Sequence, residues 1–341
     1  MARNPTAADV AREAGVSRSA VSMVLNNNAD GNVSPTAQQR IREAVQRLGY
    51  VPNAVAVALQ SQRTNTIGVI TDEIVTSPFA GRIISGAGSV ARPAGYVLTV
   101  ADTEGVPGRD LELAEALIHR HVDGLVYATG GLVELDPPVA LLHRPAVLAN
   151  CYDPQERLAA VIPDEVTGMR RATEHVLGLG HRRIALLTGT SDSPATPLRR
   201  QGFEAACEEF GREGLRLTVE PTGWEIQDGY RAAQRLLALP EPPTAVLASN
   251  DRTATGVLLC AAASGLRVPE DLSLVGVDDQ QSVADQLVPA LTTVALPHLR
   301  IGARAVELLL EQLHGLEVPP AVERIDCPLI VRASTGPAPT R

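Results

Sequence analysis

Three bursts of helical periodicity fill the first 50 positions. Val10, Ala11 and Ala14 fall on one face of a helix that Thr6 can cap, with Asp9 three residues on in the capping-box position. Gly15 can take a positive φ and turn the chain sharply. Val16 reads as an apolar plug, and Ser17 caps a second helix in which Val21, Val24 and Leu25 face inward at i, i+3, i+4. Ser34-Pro35 places a cap and an N1 proline before a third helix reaching about Leu48, with Ile41, Val45 and Leu48 on its buried face and Gly49 at its end. The first two helices have helix-turn-helix spacing, the second able to enter a DNA major groove. Its outward residues are Arg18, Ser19, Ser22, Met23 and Asn26, none acidic. A plain helical hairpin with a polar face would show the same bare pattern.

Tyr50 to Leu59 is an alanine-rich piece with Asn53 as a cap, too short to be stable alone, and Gln60 to Asn65 is polar and linker-like. From Thr66 the period changes, and β-branched runs alternate with amphipathic helices. Strands are expected at residues 67–71, 96–101, 124–128, 146–149, 159–162, 184–188, 216–220, 245–248 and 274–277. Helices fall between them at residues 79–94, 109–120, 166–179, 199–210, 228–238 and 251–264, with a short one after Asp136-Pro-Pro. Such alternation predicts parallel sheets flanked by helices, and two series of similar length predict two doubly wound lobes. Ligands of such folds sit beyond the carboxyl ends of the strands, here the cleft between the lobes.

Charge adds an asymmetry. The net −9 divides into +3 up to Arg63 and −12 beyond it, a cationic head on an acidic body. There is no lysine, so every fixed side-chain cation is an arginine. The excess on the head is mild, and a dimer, doubling the phosphate contacts, is the expected binding unit. Cys151, Cys207, Cys260 and Cys327 lack any Cys-x-x-Cys pairing and read as reduced, buried fillers. No apolar run has membrane-spanning length and the first residues lack a signal-peptide core, which predicts a cytoplasmic protein without a membrane partner.

Polar residues recur where strands end: Asp72, Asn150, Asp164, Ser249-Asn250-Asp251 and Asp278-Asp279. Any one of them could be a helix cap or turn former, but convergence on one cleft would suit a polyol. His175 and His181 read as structural. No Gly-x-Gly-x-x-Gly follows a strand, no Gly-x-Ser-x-Gly occurs, and no His/Cys metal spacing is present, so neither an enzyme nor a cofactor is expected.

The runs Asp-Val-Ala-x-x-Ala-Gly-Val-Ser, Val-Ser-x-Val-Leu-Asn, Leu-Gly-Tyr-x-Pro-Asn and Thr-x-Thr-Ile-Gly resemble the lactose-repressor (LacI/GalR) family of bacterial transcription regulators. The resemblance implies an all-α helix-turn-helix head at residues 1–49, a hinge helix and linker at 50–65, and a two-lobed, periplasmic-binding-protein-like α/β body at 66–334, with a tail at 335–341. Lobe 1 would hold residues 66–161 plus 296–325, and lobe 2 residues 162–292 plus 326–334. It implies operator contacts by Thr6, Ser17, Arg18, Ser19, Ser22, Met23, Asn26, Tyr50 and Asn53, with Leu59 wedged into the minor groove. It also implies an effector site at Phe79, Asn150, Arg199, Trp224, Asn250 and Asp278. A homodimeric, ligand-responsive repressor binding a sugar-like molecule is the function it implies. A two-lobed sugar-binding protein without a transcriptional role is the alternative. The chain departs from the family pattern at Met23, where many relatives carry arginine, at Val57, where Arg or Gln is usual, and in a longer loop from Asn26 to Val33.

Overall fold

Thr6 and Asp9 cap each other: the Thr6 amide donates to the Asp9 carboxylate at 2.9 Å, and the Asp9 amide donates back to the Thr6 hydroxyl at 3.4 Å. From there the head runs through α1 (Ala7–Ala14), α2 (Arg18–Leu25) and α3 (Pro35–Leu48). The computed structural model describes residues 5–25, 29, 31–51, 63–72, 81–211 and 213–340. Asn26, Asn53, Leu59 and Phe79 therefore lie outside the described residues. Gly15 closes α1 at φ 63°, and the Ala20 amide donates to the Ser17 hydroxyl to open α2. Val10, Val21, Val24 and Ile41 bury themselves together. On α3 the fully buried partners are Ile41 and Ala44, while Val45 and Leu48 are half-buried.

Residues 66–341 form a separate unit built on two six-stranded sheets. The first comprises β1 (Thr66–Thr71), β2 (Val97–Asp102), β3 (Gly124–Glu134), β4 (Ala146–Tyr152), β5 (Ala159–Pro163) and β11 (Val322–Ile325). Its order is β11-β5-β4-β3-β1-β2 and every pairing is parallel. The second comprises β6 (Arg183–Thr188), β7 (Arg216–Pro221), β8 (Ala245–Leu247), β9 (Ser273–Asp278), β10 (Thr292–Ala295) and β12 (Leu329–Ile330). Its order is β12-β10-β9-β8-β6-β7, with only β12 antiparallel. The chain thus crosses between sheets three times, after Pro163, after Ala295 and after Ile325. Strand β3 outruns its predicted end at Ala128, continuing to Glu134 past a shift in register between Ala128 and Val133. Gly130-Gly131 falls within this shift, and pairing of Val133 and Glu134 with Cys151 and Tyr152 carries the strand onward.

Helices cover both faces of each sheet. In the first lobe α4 (Gly81–Ala91) and α10 (His298–Leu313) cover one face through Ile83, Ala87, Ile301 and Leu309, and α5 (Arg109–His119) covers the other. In the second, α6 (Glu165–Gly178) and α7 (Ala195–Phe210) bury Met169, Val176 and Phe203, opposite α8 (Ile226–Leu237) and α9 (Asp251–Ala263). All four cysteines are free and buried. Among the described residues no helix is long and apolar enough to cross a membrane.

The crossing of α4 and α10 depends on missing side chains. A Cβ on Gly86 would stand 1.9 Å from the Leu299 carbonyl oxygen, and one on Gly302 would stand 1.9 Å from that of Ile83. The two backbones touch, which is why glycines interrupt an otherwise amphipathic segment. Gly88, on the same helix, would meet only a leucine methyl at 3.8 Å. Gly86→Ala is therefore expected to destabilise the body by about 1–3 kcal/mol through forced helix separation. Gly88→Ala should be neutral or stabilising by up to about 1 kcal/mol. Thermal or urea unfolding of the two variants checks this, and equal stability would refute the backbone contact.

Candidate functional site

Each unit presents one candidate surface. On the head, Arg18, Ser19 and Met23 are exposed along α2 and Ser22 is half-buried. Ser17 is committed to capping, its hydroxyl also lying 2.8 Å from that of Ser19. The acids of α1 are neutralised at short range, Asp9 by Arg12 at 3.2 Å and Glu13 by Arg47 at 2.7 Å. Arg18 has no ion-pair partner among the described residues. The outward face of α2 is therefore net positive, with hydrogen-bonding groups and one exposed thioether, which is what a groove lined by phosphates and base edges accommodates. Thr6 and Tyr50 are half-buried at the two ends of the head's fold.

In the body, the carboxyl ends of the strands surround a cavity of about 220 Å³. Asn150, Arg199, Trp224, Asn250 and Asp278 all line it. Asn150 and Asp278 sit at strand ends in positive-φ conformations, 61° and 114°, that cost a non-glycine residue about 1–3 kcal/mol each. The Asn150 amide nitrogen donates to the carbonyls of Thr129 and Gly130, at 2.9 and 3.3 Å, which holds the side chain fixed. Its side-chain oxygen is buried on the cavity wall with no hydrogen-bond partner among the described residues. An acceptor left so is costly unless something arrives to donate to it.

Arg199 is buried and already engaged. Its Nε and one terminal nitrogen donate to the two oxygens of Glu165, both at 2.8 Å, and the other terminal nitrogen donates to the Ser249 carbonyl. Three of its five N–H donors are thereby used, leaving two. Burial opposes its charge, but Glu165 outweighs burial and holds the guanidinium pKa above its ordinary value. Glu165 was not legible as a site residue. It follows the helix cap Asp164, and only the tertiary fold shows it as the buried partner of Arg199.

Asn250 works first as a cap: its side-chain oxygen accepts from the Thr253 amide at 2.8 Å and its nitrogen donates to the Trp224 carbonyl at 3.0 Å. One N–H remains. Trp224 donates its indole N–H to the Thr190 hydroxyl at 2.9 Å. A Cβ on Gly189 would lie 1.9 Å from the ring, so that glycine lets the indole reach the wall. Ser193, Arg252, Leu296 and His298 also line the cavity. Burial pushes His298 down to about 4, so it is neutral at physiological pH. Sequence gave no warning of these four, since each reaches the cavity through a loop or helix start.

Other strand-end acids stay structural. Asp72 accepts the Gly130 amide at 2.9 Å, Asp164 caps α6, and Asp279 pairs with Arg332 at 2.7 Å. His175 bonds Thr335, and His181 bonds Thr244 and Ser273, tying the C-terminal stretch to the second sheet. Asp251, beneath the cavity, accepts from Thr293 at 2.6 Å and from the Gln280 amide at 2.7 Å. Burial, then the charge of Asp278, hold its carboxyl well above the ordinary carboxylate range.

Two outcomes follow. Arg199→Ala would strand the buried Glu165 carboxylate and cost about 3–5 kcal/mol. The double variant Glu165→Leu/Arg199→Met should be markedly less damaging than either partner's alanine variant, and additive losses in denaturant unfolding would disprove the coupling. Asp251, raised when folded, keeps its proton where the unfolded chain has lost it. Its contribution is complete below the ordinary carboxylate value and is lost as pH climbs through the folded value. Asp251→Asn should flatten the decline in melting temperature from about pH 4 to about pH 8, and an unchanged slope would exclude it as the source.

Residues 6–53 match the model for bacterial regulatory proteins of the lacI family, and residues 173–335 match that for a periplasmic binding protein-like domain. The chain is 33% identical to the HTH-type transcriptional repressor CytR of Escherichia coli K12, over 98% of this chain and 97% of that one. It is 31% identical to the catabolite control protein A of Priestia megaterium, over 97% and 99%. A solved lac repressor dimer, bound to operator and the anti-inducer ONPF, superposes with a TM-score of 0.81 at 28% identity, covering 98% of this chain and all of that one.

Proposed function

The chain belongs to the LacI family and is a DNA-binding transcriptional regulator, and from that premise we propose a repressor controlled by a sugar-like small molecule. It works as a homodimer on a palindromic operator, in the cytoplasm, and at the nucleoid while bound to DNA. The helix α2 reads the major groove through Arg18, Ser19, Ser22, Met23 and Asn26, with Thr6, Ser17, Tyr50 and Asn53 as further operator contacts and Leu59 at the central step. Methionine cannot make the bidentate contact to guanine that arginine makes, and packs instead on a thymine methyl.

The effector occupies the interlobe cavity. What carries this reading is the Asn150 side-chain oxygen, buried on the cavity wall with no donor among the described residues. The same cavity is lined from the second lobe by Arg199, Asn250, Asp278 and Trp224, and Phe79 is assigned to the same site. A polyol suits these groups, since each hydroxyl donates and accepts while the C–H face lies on the indole. Effector and operator then bias one equilibrium, and each must change the other's affinity by the same factor.

The test is an operator selection followed by a ligand titration. Selection from random DNA should return a palindrome with a non-guanine base at the position facing Met23. On that operator, Asp278→Ala should bind DNA as the parent does without ligand, while its response shifts roughly ten- to hundredfold in ligand concentration through the unsatisfied partners left behind. A parental response from Asp278→Ala would remove the cavity from the effector assignment, and a selection without any enriched site would remove the operator reading.

A further inference from the structure

The cleft has two chambers, and they differ in charge. Beside the inner cavity lies an outer one of about 300 Å³, and the two share Gly131, Leu132, Ser193 and Trp224. The indole therefore stands where they meet. The outer walls are the extension of β3, which supplies Val133 and Glu134, and the loop that carries Thr190, Asp192 and Pro194. Its charged side chains are both acidic. Glu134 accepts from the Tyr152 hydroxyl at 3.0 Å, and a hydrogen bond from Thr190 holds the Asp192 carboxyl below its ordinary range. That same threonine accepts the indole N–H, so one hydroxyl fixes both the ring and the acid.

Among the described residues, each arginine of the inner wall is set against an acid. Arg199 is paired bidentately with Glu165, and Arg252 lies 3.3 Å from Glu225. Asp278 adds a further acid to the wall. The fixed, buried Asn150 oxygen takes a donor such as a sugar hydroxyl, while a phosphate would face the acids of the outer chamber.

From this arrangement we infer that the effector is an uncharged, two-unit saccharide, one ring in the inner chamber donating a hydroxyl to Asn150 and the second unit in the outer chamber beside Trp224, and that phosphorylated ligands are excluded. The inference rests on the cleft being the effector site. At about 220 Å³ the inner chamber lies below the roughly 300–1,000 Å³ of drug-sized pockets and suits a single ring, whereas both chambers together fall within that range. A second ring also has a place to go without moving the first, because the chambers join along the shared wall.

The sole tryptophan provides the readout in the full-length protein. Maltose, cellobiose, sucrose and lactose are titrated against its fluorescence, each beside its component monosaccharides and its 6-phosphate. At least one neutral disaccharide should bind tenfold or more tightly than either of its units, and tenfold or more tightly than its phosphorylated form. The exposed double variant Glu134→Gln/Asp192→Asn should narrow the gap between neutral and phosphorylated ligand at least threefold. A phosphorylated ligand binding better, a monosaccharide binding as well as the disaccharide, or no quenching by any of the four disaccharides would overturn the proposal. Operator binding and its response to ligand, scored in parallel by gel shift, separate the two readings. A response triggered by a charged or one-ring ligand leaves the regulator reading standing while this proposal fails.

Discussion

A guanidinium removed from water must replace its hydration with fixed acceptors, and Arg199 does this by tying together strand ends of both sheets. It draws in Glu165 after β5, the Ser249 carbonyl after β8 and, through its charge, Asp278 at the end of β9. Glu165 stands at the first crossing between lobes, so the pair also fixes where the chain enters the second sheet. Burying two charges in this way contributes little to stability by itself and would be matched by apolar packing. What it provides is position. The walls around the cavity are set before any ligand arrives, and the ordering cost of binding is correspondingly smaller.

The first lobe contributes an opposite kind of group. Asn150 is held by two carbonyls in a left-handed conformation, and the structure satisfies its nitrogen while leaving its oxygen bare. The first lobe thus offers an acceptor, and the second has donors to spare on Arg199 and Asn250. A ligand that donates to Asn150 while touching the second lobe joins the two, so its binding energy depends on how the lobes are disposed. Such dependence is the requirement for a ligand to shift a conformational equilibrium, since equal affinity for both states shifts nothing.

What the sequence disclosed divides by range. The head was legible because its signals are local: Thr6 with Asp9, Gly15 before Val16, Ser34 before Pro35 each act within four residues. The alternation of the body gave its strands and helices for the same reason. The cavity was legible in part, because polar residues at strand ends share a physical cause with the fold itself. The remainder depends on partners far along the chain. Glu165 and Arg199 lie 34 residues apart, and nothing in either neighbourhood marks the burial of the carboxylate. Gly130-Gly131 has the composition of a turn, yet Asp72 grips the Gly130 amide from 58 residues away, and the strand continues beyond it. Asp164 and Asp279, which look like the cavity residues in sequence, become a cap and an ion-pair partner.

Charge distribution sets a final constraint on how one chain can serve two very different ligands. The outward face of α2 keeps Arg18 unpaired among the described residues while its neighbouring acids are neutralised within the head. The cavity does the reverse, pairing both of its arginines and leaving acids on its walls. A polyphosphate such as DNA is therefore favoured at the first surface and opposed at the second, and an uncharged polyol gains little at the first. Since the phosphate backbone dominates operator affinity, any cation left open in the cleft would compete for the same anions and respond to salt in the same way. An uncharged ligand bound in a cleft neutralised from within would keep its affinity nearly independent of ionic strength while salt tunes DNA binding, because hydrogen bonds to a buried, paired guanidinium are only weakly screened.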